Sequence, residues 1–311
     1  MSRSELNESM RQAILSADPR LSRFDPLPRI LSFCDFDEGP GGWATLIGNH
    51  DGDLAAVHPM KLDLRAPQLS STTFFDIGSH GAMDGVYSLK LATRAEPGSW
   101  STAMKRLTSR TLGKVQFETY FAFTAEQTFQ RESNTREFDG NISPSESDFG
   151  FFTLLCDAWG GADDKRFLCA LRYLNTDSEG QLVKKWMYKT REGGQSRDWL
   201  AGEPAARLDD IDGASQRDWE EVPGGYNPLC YNESATKINW HYLRWVFDLK
   251  TRRNVELQVN DLTMDLRDVP VPAAGKYESL NYLLNIRLDV HTYRPVRNLL
   301  FLDSTMISAD W

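Results

Sequence analysis

Apolar and polar residues alternate most sharply between Trp240 and Asp261, WHYLRWVFDLKTRRNVELQVND. His241, Leu243, Trp245, Phe247 and Leu249 share one phase, and Tyr242, Arg244 and Asp248 the other. After the basic turn Lys250–Asn254, Val255, Leu257 and Val259 alternate with Glu256, Gln258 and Asn260. A period of two sets one row against a core and turns the other toward solvent or ligand. Two such runs joined by a short turn predict an antiparallel hairpin. The pattern returns at Ile30–Phe36, Tyr87–Thr93, Val115–Phe123, Phe149–Asp157, Phe167–Leu174, Val183–Lys189, Leu283–His291 and Leu299–Ile307. Helical periodicity is confined to the N-terminus. There Ser2 and Glu5 stand at capping-box spacing and Leu6, Met10, Ala13 and Ile14 recur at helical intervals, up to about Asp18-Pro19. Its apolar stripe is expected to pack on the main body, with a dimer contact as the alternative. Many short strands with turn residues between them predict an all-β antiparallel sandwich or barrel, not a βαβ fold.

Two stretches resist a strand reading, Ala125–Ser147 and Thr190–Asn239. The second is too long for an idle connection. It carries Trp199, Trp219, Tyr226 and Tyr231, which argue for an ordered flap covering part of a sheet. The expected organisation is a helical arm over 1–24 and one sandwich domain over 25–311, with the flap inserted at 190–239.

Composition narrows the partners. The 311 residues are 41% hydrophobic and 11% aromatic, enough to fill the space between two sheets. The net charge of −9 argues against nucleic acid or an anionic membrane as partner, since both reward basic patches. The opening residues lack the apolar run of a signal peptide, and no stretch is apolar enough to span a bilayer. Cys34, Cys156, Cys169 and Cys230 lack CxxC spacing and read as buried free thiols, so a cytoplasmic location is expected.

Four pieces in order resemble the concanavalin A-like lectin and glucanase jelly rolls, in the manner of an uncharacterised bacterial family among them. FCDFDEGPGGW (Phe33–Trp43) is similar to the opening strand and its acidic–Gly–Trp turn, and GKVQFETYFAF (Gly113–Phe123) to an early sheet strand. NWHYLRWVFDL with VELQVND is similar to the hairpin, and NLLFLDSTMIS (Asn298–Ser308) to the closing strand. The resemblance implies an antiparallel jelly-roll β-sandwich and a saccharide ligand. The E-x-D-x-(x)-E strand of the retaining glucanases is missing; Gln116–Tyr120 offers one carboxylate, Glu118. The resemblance also implies neighbouring first and last strands sharing a structural Ca²⁺, for which Asp35, Asp37 and Asp303 are the candidate ligands, with Glu38 beside them. No organic cofactor is expected, because no phosphate loop, dinucleotide fingerprint or nucleophile elbow is present.

The polar rows hold the candidate chemistry. Asn285, Arg287, Asp289 and His291 oppose Leu284, Ile286, Leu288 and Val290, and are expected on an open sheet face. Gln116, Glu118 and Tyr120 oppose Val115, Phe117 and Phe121, while Arg172, Tyr242 and Arg244 sit in the polar phase of their own strands. Planar polar groups beside aromatic rings suit sugar hydroxyls and a sugar's C–H face. Glu118, Asp289 and His291 are the candidate acids and bases. Gln116, Tyr120, Arg172, Tyr242, Arg244, Asn285, Arg287 and Trp199 are the candidate saccharide contacts. His241 reads as a rim histidine at a strand start. The expected function is recognition of a small saccharide inside the cell, with acid–base hydrolysis or β-elimination. A non-catalytic lectin-like module and a structural or assembly protein are the alternatives, and homo-oligomerisation is left open.

Overall fold

The computed structural model describes residues 3–44, 66–71, 81–126, 145–159, 165–190, 219–232, 239–271, 273–276 and 282–311. Two antiparallel sheets face each other, and every run named above is a strand in one of them. The first sheet is ordered β13 (Leu262–Asp265), β12 (Arg253–Val259), β11 (His241–Asp248), β6 (Lys114–Ala125), β16 (Asn298–Ala309), β4 (Tyr87–Ala92) and β3 (Gln68–Ser71). β1 (Arg29–Cys34) pairs with the C-terminal half of β16, so the first and last long strands are neighbours as expected. The second sheet runs β10 (Trp219–Tyr226), β9 (Leu182–Lys189), β8 (Lys165–Thr176), β7 (Phe151–Trp159), β15 (Leu283–His291), β5 (Trp100–Thr108) and β2 (Trp43–Ala44), with β14 (Ala273–Lys276) against β8.

The core lies between the sheets and is built from the apolar phase of each strand. Phe117, Phe121 and Phe123 of β6 and Leu243, Trp245 and Phe247 of β11 meet Phe152, Leu154 and Cys156 of β7 and Leu284, Ile286, Leu288 and Val290 of β15. Full burial of each such side chain contributes about 1.5–3 kcal/mol. Trp245 is wholly buried and satisfies its indole N–H on Asn254 Oδ1 at 3.0 Å. His241 belongs to this inner row and is no rim residue. Its Nε2 bonds Cys230 O at 2.9 Å, its Nδ1 bonds the Asn260 amide at 3.0 Å, and its ring packs on Phe121 and Phe123. It is a satisfied core histidine.

Three expectations need correction. The helix α1 (Arg3–Ala17) forms, but Leu6, Met10 and Ile14 are exposed and Leu15 is the buried apolar residue of its last turn. The stripe therefore does not pack on the body. The stretch 190–239 is not wholly a flap. β10 forms the edge of the second sheet beside β9, and Tyr231 enters the core against Phe123 while its hydroxyl accepts from Ala125 N at 2.7 Å. Cys156 and Cys169 are buried free thiols facing each other across β7 and β8, but Cys230 is exposed.

Candidate functional site

Strand pairing places the row opposite the core on the outer face of the second sheet. β15 runs between β7 and β5 in an unbroken register: Asp289 opposes Thr153 on one side and Thr102 on the other, and His291 opposes Phe151 and Trp100. β8 adds Arg172 beside Thr153. Residues two apart on one strand share a face, so Arg287 reaches Asp289, its Nε and Nη2 donating to Oδ2 at 3.0 and 2.6 Å. Thr102 Oγ1 donates to the other carboxylate oxygen at 2.6 Å.

The rings stack along the register. The His291 imidazole lies parallel to Trp100, at 5.6 Å and 0°, and to Phe151, at 4.5 Å and 12°. The Arg172 guanidinium continues the line, 4.0 Å from the Phe151 ring centre and 3.9 Å from that of Trp219. Trp219 itself rests on Leu155 and Ala170. Aromatic and cation–ring contacts of this kind stabilise by about 0.5–2 kcal/mol each. The stack covers both faces of His291, Phe151 and Arg172, and all three residues are buried.

Burial sets the electrostatics. Asp289 is fully buried and its carboxyl is pushed up by desolvation, against the pull of Arg287. His291 is held well below the usual imidazole range by burial and by the nearby Arg172 and Arg287 charges, so it is neutral at pH 7. Burial pulls Arg172 down to about 9, still cationic at neutral pH. Among the described residues, buried polar atoms on this face without a hydrogen-bond partner include His291 Nε2, Thr153 Oγ1, Asn285 Oδ1 and Trp219 Nε1. Such atoms are rare in folded proteins, and each calls for a water or a ligand.

The expected open face is thus a correction. Asn285, Arg287, Asp289 and His291 have the predicted phase but are 0–4% exposed.

Glu118 stands on the opposite side of the molecule, on the outer face of the first sheet, and the chain's own arm covers it. Its carboxylate accepts from Tyr242 Oη at 2.6 Å, Asp25 N at 2.9 Å and Gln116 Nε2 at 2.8 Å. Gln116 also donates to Asp25 O, and Tyr120 Oη to Arg23 O. Phe24 packs edge-on against Tyr120 and Phe33. Arg244 pairs with Glu256 and Asp25. Gln116, Glu118, Tyr120, Tyr242 and Arg244 therefore fasten residues 23–25, and none of them meets Asp289 or His291. Beside them a cleft of about 880 Å³ is lined by Lys114, Asp248, Arg253, Glu256, Asp265 and Arg267, of which Asp265 and Arg267 pair with each other.

The acids expected to share a Ca²⁺ are each met by a protein partner. Asp37 Oδ1 accepts from Val86 N and Tyr87 N, Asp35 pairs with Arg20, and Asp303 Oδ2 accepts from Asp84 N at 2.8 Å. Among the described residues no three His, Cys, Asp or Glu side chains converge as a metal would require. Trp199 lies outside the described residues. Trp100, Thr102, Phe151 and Thr153 went unread as site residues because their strands' outer phase mixes apolar with polar groups; the register beside His291 was the signal that could have found them.

Two facing antiparallel sheets with adjoining first and last strands make the chain an antiparallel β-sandwich. The chain belongs to the family described as "Domain of unknown function (DUF6772)", whose model matches residues 11–311. No curated protein matches it. Among solved structures it is similar to the Emp46p carbohydrate recognition domain in its potassium-bound form, at 10% identity and a TM-score of 0.39 over 92% of this chain and 96% of that one. It is similar to the VIP36 exoplasmic/lumenal domain in a Ca²⁺/Man2-bound form, at 10% identity and a TM-score of 0.40 over 85% and 87%. A carbohydrate esterase from a Shiga toxin-encoding bacteriophage gives 8% identity and a TM-score of 0.39 over 91% and 99%. Each is a distant likeness in the course of the backbone.

Proposed function

We propose that the chain recognises a saccharide on the outer face of the second sheet. The observation that carries the reading is the set of buried polar atoms without partners, His291 Nε2, Thr153 Oγ1 and Asn285 Oδ1, flanking the Arg287–Asp289 pair. An imidazole nitrogen, a hydroxyl and an amide oxygen present both donors and acceptors, which is what sugar hydroxyls need. The aromatic edges beside them give the ligand an apolar border.

The same geometry argues against hydrolysis by paired carboxylates. Asp157 and Asp289 are the described carboxylates on β7 and β15 of this face. Asp157 opposes Asn285, four residues from Asp289, which sets the two roughly 13 Å apart along the strands. Inverting enzymes need about 6.5–9.5 Å and retaining ones about 5–5.5 Å. The second reading is acid–base processing by elimination, for which His291, its Nε2 unbonded, is the candidate base.

Calorimetric titration with a saccharide panel tests the first reading, comparing the parent with His291→Phe, which keeps a ring between Trp100 and Phe151. Binding by the parent that weakens in the variant is expected. Equal binding in both would remove the site. Rising ultraviolet absorbance from an unsaturated product, lost in His291→Phe, would support elimination; binding without turnover would leave a lectin-like module.

A further inference from the structure

The cleft of about 880 Å³ in the first sheet joins open space to uncompensated charge. It runs across one end of four neighbouring strands, where Lys114 begins β6, Asp248 ends β11, Arg253 begins β12 and Asp265 ends β13. Asp248 opposes Lys114 on one side and Arg253 on the other, so these three side chains form a row at strand spacing, about 4.8 Å. The acids of the cleft are already engaged. Asp248 Oδ1 accepts from Lys250 N at 2.8 Å and its Oδ2 from the Thr251 hydroxyl at 2.9 Å, which fixes the turn after β11. Glu256 pairs with Arg244, and Asp265 with Arg267. Lys114 and Arg253 are exposed, and among the described residues neither is in an ion pair; the Arg253 guanidinium makes a long contact to Arg267 O at 3.5 Å.

With Asp265 and Arg267 cancelling and Glu256 answered by Arg244, Lys114 and Arg253 exceed Asp248 by one positive charge. The turn beside them adds Lys250 and Arg252, so a basic patch stands on a chain whose net charge is −9. Such a patch concentrates anions locally although the molecule as a whole repels them. Small-molecule sites occupy about 300–1,000 Å³, and this cleft falls in that range, far more room than an inorganic ion fills. Half-buried Val255 gives its lining an apolar part. We propose that the cleft binds a small organic oxyanion, a carboxylate or phosphate ester, with its charged group between Arg253 and Lys114. The planar guanidinium grips two oxygens at once, while the ammonium acts as a point charge. The site shares no residue with the β15 face and stands or falls independently of the saccharide reading.

Calorimetry on the full chain tests this with matched charged and neutral probes: butyrate against butyramide, and glucuronate and glucose 6-phosphate against glucose. At least one charged probe should bind at low salt, its neutral counterpart should bind at least tenfold more weakly, and the affinity should fall as salt is added. Arg253→Gln and Lys114→Gln should each weaken the charged probe by about tenfold. Both side chains are exposed, so these variants should melt like the parent, and a lost affinity then reports the site and not the fold. Loss of the carboxylates alone in Arg253→Gln would assign them to the guanidinium fork, and equal loss of carboxylates and phosphate ester would assign both to the pair of charges; either result supports the site. No binding of any charged probe at millimolar concentration would overturn it. Equal binding of charged and neutral probes would overturn it as well. So would binding that survives both variants but is lost in His291→Phe, which would move the ligand to the β15 face and leave the saccharide reading standing.

Discussion

Replacing Asp289 by Asn separates a buried face from an open one. In the folded chain the Asp289 carboxylate holds both the Arg287 guanidinium and the Thr102 hydroxyl, and the two charged side chains are 0% and 5% exposed. Asn keeps the shape and one acceptor oxygen but removes the charge, so the guanidinium stays desolvated without its counter-charge. Breaking a buried pair in this way costs about 3–5 kcal/mol. A domain has only about 5–15 kcal/mol to lose. At roughly 2 °C per kcal/mol for a chain of this size, Tm should fall by about 6–10 °C. Burial pushes the Asp289 carboxyl up despite Arg287, which means that desolvation outweighs the attraction. The pair as a whole is therefore a poor stabiliser, and Arg287→Met with Asp289→Leu should be nearly neutral. The assay is urea unfolding with the slope held constant, so that a shift in midpoint reports stability. On a solvated face the single change would stay within about 0.5 kcal/mol. That result, or a double variant as unstable as the single one, would refute the reasoning.

Three further outcomes are expected. His291 and His241 both titrate below the usual imidazole range because burial disfavours the cation. The unfolded chain then binds more protons below about pH 6.5, so stability is full above that pH and falls as pH drops, by up to about 1.4 kcal/mol per pH unit for each histidine. His291→Phe should flatten that slope in unfolding curves between pH 4 and 7, and an unchanged slope would show that His291 titrates normally. Glu118→Leu should orphan three donors, lower stability by about 3 kcal/mol or more, and speed protease cleavage between Asp18 and Leu27; parent-like cleavage would mean that the arm is held elsewhere. Because Asp35, Asp37 and Asp303 are each engaged by protein donors, EDTA should leave Tm unchanged, and a Tm restored by added Ca²⁺ would contradict this.

The expected strands were legible because a period of two survives in each of them, and β15 runs over Leu283–His291 as its alternation predicts, but β2, β3, β5, β13 and β14 were not expected. β10 was hidden: Trp219–Tyr226 contains Pro223, Gly224 and Gly225, which read as a turn and are accommodated at a sheet edge with a break in register. Phase told which side a residue faces, not what lies over that side. The rows of Glu118 and Asp289 read alike, yet Glu118 fastens the N-terminal arm and Asp289 pairs within its own strand. The apolar stripe of α1 misled for the same reason, since periodicity shows that a face exists and not that it has found a partner.

The stack from Trp100 through His291, Phe151 and Arg172 to Trp219 belongs to no single segment. Its members come from β5, β15, β7, β8 and β10, and only the registers of that sheet bring them into line. This is why aromatic residues singled out one strand at a time suggested ring faces open to a sugar. Each ring face covers the next, so on the proposed reading a sugar would have to meet the polar tips between the rings. Recognition then depends on hydrogen bonds made in a water-poor setting, where a missing hydroxyl leaves a buried group unpaired at about 1–3 kcal/mol. On that reading the face would discriminate between epimeric sugars more sharply than by bulk.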